Sequence, residues 1–229
     1  MPKEIDRHEV QRLVKEEDAQ LVDVLGPSDY RDSHLPGAIN VPLGKLGDQA
    51  TQVLDASRPV IAYCYDTQCD MSPRAAWRLE TLGFGDAYDY VGSKMDWIGA
   101  GLPFEGEAAD KPRLATLADR SVPTCSLEEK VGELADRLGD WEICIVVNEA
   151  RVVLGLVRAE TAGLDAGRAV VDVMKEAPKT YRPHFGPSDV LPDLDKTPRS
   201  WVLVTNLDGT LVGIVRPDQL REVEEPSRA

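Results

Sequence analysis

Four cysteines stand in the chain, and one of them is placed as a reagent would be. In PVIAYCYDTQCDMSPRAAWRLETLGF, residues 59–84, an apolar run ends at Cys64. A polar loop follows (Tyr65, Asp66, Thr67, Gln68, Cys69, Asp70, Met71), and then Ser72 and Pro73 open a helical pattern that Gly83 stops. The reactive form of cysteine is the thiolate, which backbone N–H groups and a helix N-terminus stabilise. Ser72 is a good helix cap and Pro73 a good first residue, so the positive end of this helix is predicted to face the loop. A loop of this length predicts a cup of inward N–H groups able to hold a thiolate, an anion or a persulfide. Cys64 is the candidate nucleophile, against the plainer reading of an inert cysteine at a strand end. Cys69 has two readings that the residues leave open. It is either a second thiol able to attack an oxidised Cys64, or loop packing.

The other two cysteines read as core. Cys144 lies inside the apolar run ICIVV, and Cys125 precedes SLEE, where Ser126 and Glu129 have the spacing of a capping box. No second close cysteine pair completes a zinc pattern, so no metal is expected.

With a net charge of −14, and acidic in both halves, neither half is built to bind a nucleic-acid backbone, and no nucleic-acid partner is expected. No run approaches a membrane span, and the charged start MPKEIDRHEVQRLVKEED lacks an apolar leader core. No membrane association and a cytoplasmic location are the expectations.

Alternating elements must position Cys64. KEIDRHEVQRLVKEED carries Ile5, Val10, Leu13 and Val14 on one predicted helical face. AQLVDVL reads as a buried strand, and Ser28 and Asp29 suit the cap of a short turn. LGDQATQVLDAS reads as a helix, PVIAYCY as a strand, DAYDYVG as another strand and SKMDWIGAG as a last short helix. Strands alternating with helices predict a parallel sheet covered on both faces. GLPFEGEAADKPR breaks the pattern as a linker would.

Beyond it the chain repeats itself. WEICIVVNEARVVLGLVRAETA echoes RSWVLVTNLDGTLVGIVRPDQL, each with two apolar strands around an Asn-containing turn. Helical stretches precede both hairpins, SLEEKVGELADRLG in the first copy and GPSDVLPDLDK in the second, where Pro192 is expected to truncate or bend the helix.

Three blocks in the first part resemble the rhodanese-like family: LVDVLGPSDYRDSHLPGAINVPL, YCYDTQCDMSPRAAWRLETLGF and YVGSKMDWIGAGLPFEG. The resemblance implies that Cys64 takes sulfane sulfur from a small-molecule donor, holds it as a persulfide and passes it to a thiol or cyanide-like acceptor. It implies structural roles for Asp23 and His34, and places Trp97 beneath the loop. Loop residues 65–71 lack Lys and Arg, and Leu25 stands where the family often has Arg. Asp66 and Asp70 would repel thiosulfate and raise the thiol pKa, with Arg74 on the first helical turn as the offset. That argues against thiosulfate as natural donor, and Asp70 at the loop's end argues against phosphatase chemistry.

Residues 113–224 resemble a tandem CBS-domain pair, or Bateman module, with VVDVMKEAP opening the second copy. Such pairs commonly bind adenine nucleotides, so the resemblance makes an adenine nucleotide a candidate ligand, beside the reading of a purely structural or dimerising module, and no cofactor is required for the chemistry. The family's ligand motif is altered in both copies, GLVRAET and GIVRPDQ, leaving Arg158, Arg216 and Asp218 as candidate contacts. The expected architecture is an α/β, parallel-sheet rhodanese-like domain at 1–106, a linker at 107–112, and an α+β CBS pair with copies at 113–166 and 167–229. The pair is expected to regulate the enzyme or to make it a homodimer. A redox- or ligand-sensing module without turnover, with Cys64 and Cys69 as a thiol switch, is the alternative.

Overall fold

The computed structural model describes residues 2–139, 141–162 and 166–224. The chain divides into two compact units, Met1–Lys111 and Pro112–Ala229.

Unit one alternates β1 (Lys3–Ile5), α1 (Arg7–Glu17), β2 (Gln20–Asp23), α2 (Pro27–Asp32), β3 (Ile39–Asn40), α3 (Leu46–Val53), β4 (Val60–Tyr63), α4 (Met71–Thr81), β5 (Ala87–Tyr90) and α5 (Ser93–Gly99). The strands form one parallel sheet in the order β1-β5-β4-β2-β3. Period-two alternation sorts β4 between two cores. Val60, Ala62 and Cys64 meet Ala75, Ala76 and Leu79 of α4 and Leu46 and Ala50 of α3. Ile61 and Tyr63 meet Val10 and Leu13 of α1 and Trp97 of α5. Each large aliphatic side chain so buried contributes roughly 1.5–3 kcal/mol.

Several local expectations change. Ile5 belongs to a strand, because pairing with Tyr90 at the sheet edge outweighs the helical spacing, and Val14 stays exposed. Asp6 caps α1 by accepting from the Glu9 amide at 2.9 Å. Gly26, with Pro27 in the first turn, starts α2, and neither Ser28 nor Asp29 caps it through a side chain. The expected linker is anchored at its start, since the Glu107 and Ala108 amides donate to Arg31 and Asp32 carbonyls at 2.9 Å.

Unit two is α+β and repeats one plan. The first copy runs α6 (Leu114–Leu117), β6 (Thr124–Cys125), a 3-10 turn (Val131–Leu134), α7 (Ala135–Leu138), β7 (Ile143–Val147), β8 (Val153–Arg158) and α8 (Ala159–Ala162). After β9 (Lys175–Glu176), the second runs β10 (Thr180–Tyr181), α9 (Pro187–Lys196), β11 (Val202–Thr205), β12 (Leu211–Val215) and α10 (Pro217–Glu224). In both copies a short strand pairs parallel with the first hairpin strand, and a register shift follows the same residue, Val146 or Val204. Gly155 faces Val146 and Gly213 faces Val204. A Cβ at Gly213 would sit 2.4 Å from the Asp119 carbonyl oxygen, so only glycine lets that strand pass. Ile143, Ile145 and Leu156 of one hairpin share a core with Leu203, Leu211 and Ile214 of the other.

The helices differ from expectation. The first-copy helix is broken into a 3-10 turn and one short turn, although the Ser126 amide does donate to Glu129 at 2.7 Å. By contrast α9 runs through Pro192 without truncation, its first turn closed by the Gly186 amide donating to Asp189 at 2.8 Å.

Candidate functional site

The last residues of β4 carry the chain to the carboxyl edge of the sheet, where parallel α/β folds place their chemistry. Cys64 sits there, 0% exposed. Its sulfur is 3.4 Å from Ser72 Oγ and 3.6 Å from Ser93 Oγ. The Cys69 and Asp66 carbonyl oxygens lie at 3.4 and 4.0 Å.

The expected cup of amides is not the arrangement found. Asp66 consumes two loop amides itself, its Oδ1 accepting from Gln68 at 2.9 Å and its carbonyl from Cys69 at 3.2 Å. Ser72 is not the helix cap. Asp70 holds that place without a side-chain bond, and Ser72, one residue into α4, turns its hydroxyl inward. Burial pushes the Cys64 thiol up, the Cys69 side chain adds to this, and the Ser72 and Ser93 hydroxyls and the Ser72 amide pull it back. The resting group is therefore a neutral thiol donating a hydrogen bond.

The loop's outer residues face solvent. Tyr65, Thr67, Gln68 and Asp70 are exposed, and Cys69 and Met71 half-buried. Arg74 pairs with Asp70 at 3.6 Å across one exposed helical turn, so the loop presents little net positive charge.

Two site residues escaped the sequence reading. Ser93 holds φ +54, the left-handed region, fully buried. Its hydroxyl donates to the Tyr90 carbonyl at 2.9 Å and accepts from the Cys64 amide at 3.1 Å. Lys94, 1% exposed, reaches Asp23 at 3.4 Å and the Asp29 carbonyl at 3.1 Å. Nothing in SKMDWIG marks this lysine as buried. The polar residue in the apolar strand of AYDY, Asp89, did carry a signal, since aspartate is depleted in strands.

Asp23 accepts from the Leu25 amide at 2.9 Å. Burial raises its carboxyl and Lys94 opposes the rise. His34 stacks on Tyr30 at 3.8 Å and its Nδ1 donates to the Tyr30 carbonyl at 2.7 Å. Trp97 lies on the sheet face opposite Cys64, donating to the Pro103 carbonyl at 2.7 Å, and so is not beneath the loop.

In unit two the three candidates do not converge. Arg158 lines a cavity of about 460 Å³ with Lys175, Lys179, Arg199 and Trp201, a lining without carboxylates. It also pairs with Glu160 at 3.7 Å. Arg216 instead covers the Trp141 ring at 5.7 Å, and Asp218 is exposed on α10. Cys125 and Cys144 are buried in the first copy's core, as expected. Among the described residues no cluster suits a metal ion, and no helix is long and apolar enough to cross a membrane.

Residues 6–100 match the rhodanese-like domain family. A thiosulfate sulfurtransferase, GlpE of Coxiella burnetii, is 30% identical over 97 residues, which cover 42% of this chain and 88% of that protein. The HTH-type transcriptional regulator Rv0324 of Mycobacterium tuberculosis is 33% identical over 101 residues, and the match spans only 44% of its length. A solved CBS domain pair/ACT domain protein from Thermotoga maritima covers 52% of this chain and 100% of its own at 16% identity, with a TM-score of 0.46.

Proposed function

Since the chain belongs to the rhodanese-like family, we propose that its first unit is a sulfurtransferase carrying sulfane sulfur as a persulfide on Cys64. The observation that carries this reading is one thiol at the carboxyl edge of the central strand, held by two hydroxyls, Ser72 at the head of α4 and Ser93 at the head of α5. The Cys64 thiolate attacks the sulfane sulfur of the donor. A sulfur–sulfur bond forms on Cys64, and the donor's leaving group departs with the electron pair. A thiol or cyanide-like acceptor then attacks the outer sulfur, and Cys64 leaves as thiolate. No net oxidation occurs. Because the sulfur is buried, the 65–71 loop must open to admit the donor. With Arg74 tied to Asp70 and Asp66 in its span, the loop favours a donor of low charge over thiosulfate.

Mass spectrometry of the full chain after exposure to a low-molecular-weight persulfide tests this. One added sulfur on Cys64, removed by cyanide and absent in Cys64→Ser, is the expected result. No adduct from any sulfane donor sinks it. The second reading, a thiol switch without turnover, is favoured by the closeness of Cys69 to the Cys64 sulfur. Its signature is a Cys64–Cys69 disulfide under peroxide with no sulfur uptake, and Cys69→Ser removes that bond while leaving any persulfide chemistry intact. All four cysteines are free thiols, consistent with a reducing, cytoplasmic setting.

For unit two we propose a regulatory CBS pair that takes a phosphate-bearing ligand such as an adenine nucleotide, and through which the chain self-associates. The duplicated hairpin plan and the basic cavity around Arg158 support this, guanidinium and ammonium groups being suited to phosphate. Arg216 and Asp218 lie outside that cavity's lining.

A further inference from the structure

The cations that line the unit-two cavity are not equally free. Four of them face it, Arg158, Lys175, Lys179 and Arg199, and among the described residues no carboxylate does. Lys175 is exposed on β9 and makes no ion pair among the described residues. Arg158 leans on Glu160 at 3.7 Å, but both side chains are more than half exposed, so that pair is weak. The other two cations are engaged from behind the wall. Asp193, on α9 and outside the lining, accepts from Lys179 Nζ at 2.7 Å on Oδ1 and from Arg199 Nη1 at 2.8 Å on Oδ2. The Tyr181 hydroxyl donates to the same Oδ2, and the Tyr181 ring lies 5.2 Å from Lys179 Nζ.

Arg199 is held at one corner only. Its Nη1 also donates to the Thr197 carbonyl at 3.2 Å and to Tyr181 Oη at 3.4 Å. Among the described residues its Nη2 and Nε form no hydrogen bond, so the fork that suits a phosphate by two parallel bonds is unspent.

We propose that Asp193 is an internal counter-anion that competes with the ligand of this cavity: it reserves Lys179 and Arg199, and an anion engages all four cations only by taking these two over. The proposal deepens the reading of unit two as a binder of phosphate-bearing ligands and rests on it. No covalent bond changes in the exchange, in which an ammonium and a guanidinium trade a carboxylate for phosphate oxygens. The ligand class follows from the charges. A single phosphate finds only Arg158 and Lys175 uncommitted. A run of linked phosphates reaches more of the wall and carries enough charge to displace one carboxylate, whose pairs are partly solvent-exposed and correspondingly weak. The preferred ligand is therefore a polyphosphate chain, free or carried on a nucleotide. Lys179 first, then Tyr181 and Arg199, keep the Asp193 carboxyl ionised through the neutral range, so the competitor is always charged there.

The plain alternative is that Asp193 orients the two cations for the ligand, and it predicts the opposite sign. Titration calorimetry of the full chain at fixed salt, with tripolyphosphate, adenosine triphosphate and inorganic phosphate as probes, separates the two. Wild-type protein is expected to bind tripolyphosphate more tightly than phosphate. Asp193→Asn is expected to tighten tripolyphosphate by roughly tenfold or more, because a negative charge next to the anion is gone and two cations are released. The tightening is expected although this variant is the less stable protein, so a general gain in stability cannot produce it. Asp193→Ala, which favours the helix it sits in, carries the test should the amide variant fail to fold. A gain shared by tripolyphosphate and the nucleotide assigns a free chain, and a gain with the nucleotide alone assigns a nucleotide-borne one. A wild-type cavity that binds nothing while Asp193→Asn binds also supports the proposal, the carboxylate then blocking the site outright. Equal or weaker binding by the Asp193 variants overturns the proposal alone, weaker binding being the mark of an orienting role. Phosphate bound by wild type as tightly as tripolyphosphate overturns it too. No binding of any probe by wild type or variant retires both the proposal and the ligand reading of unit two.

Discussion

At the scale of single residues, the site is held by buried polar groups that the apolar pattern does not announce. Lys94 and Asp23 form an ion pair almost without exposure, and they connect the carboxyl edge of β2 to the start of α5. Such a pair adds little net stability while intact, but breaking it leaves an uncompensated buried charge. Lys94→Met is expected to destabilise unit one by about 3–5 kcal/mol in urea unfolding. Burial already raises the Asp23 carboxyl, and without Lys94 it rises further. An acid whose folded pKa is raised binds its proton more tightly when folded, so the deficit of Lys94→Met should shrink as pH falls toward acid. A deficit constant with pH would show that Asp23 is not the group responsible. The strained Ser93 belongs to the same scale, because its left-handed backbone is what brings one hydroxyl to both the Cys64 amide and sulfur.

At the scale of elements, the charges that matter most in unit two join α9 to the strand before it. Asp193 accepts from Lys179 at 2.7 Å, from Tyr181, and from Arg199 at 2.8 Å. Lys179 first, then Tyr181 and Arg199, hold the Asp193 carboxyl well below the usual carboxylate range. The sign is opposite to that of Asp23. A depressed folded pKa gives stability that is present above the unfolded value and lost as pH falls through the folded one. Asp193→Asn should therefore lower the melting temperature of unit two by a few degrees at neutral pH and by less in acid, followed by circular dichroism. Elsewhere the elements were legible where pattern and packing agree. β2, β4, β5 and both hairpins follow from apolar runs bounded by turn residues. The helix expected from SLEEKVGELADRLG is mostly replaced by a 3-10 turn, and α9 survives its proline, because tertiary contacts outweigh local propensity. The turns repay the same comparison: where the second hairpin uses Gly209 at φ +84, the first must place Arg151 at φ +60.

At the scale of the whole molecule, each unit has its own apolar core, which is the physical condition for separate cooperative unfolding. Calorimetry of the full chain is expected to resolve two transitions. A phosphate-bearing ligand in the basic cavity should raise the unit-two transition by mass action and leave the other in place. Adenosine triphosphate and inorganic phosphate are the probes, and no shift at millimolar concentration removes ligand binding from the proposal for unit two, leaving self-association, which sedimentation velocity of the same protein checks.

The amino-acid sequence by itself determined the alternation of strands and helices, the duplicated hairpins, the acidic surface and the position of Cys64 at a strand end. Those features depend on local periodicity and on turn chemistry, which neighbouring residues settle among themselves. Only the tertiary structure decided that Asp66 would occupy the loop amides, that Ser72 would face the thiol instead of capping α4, and that Lys94 and Asp89 would be buried beside the site. Those facts turn on which side chains from distant strands share one face of a sheet, and that is fixed by strand order and register, which periodicity along a single segment does not encode.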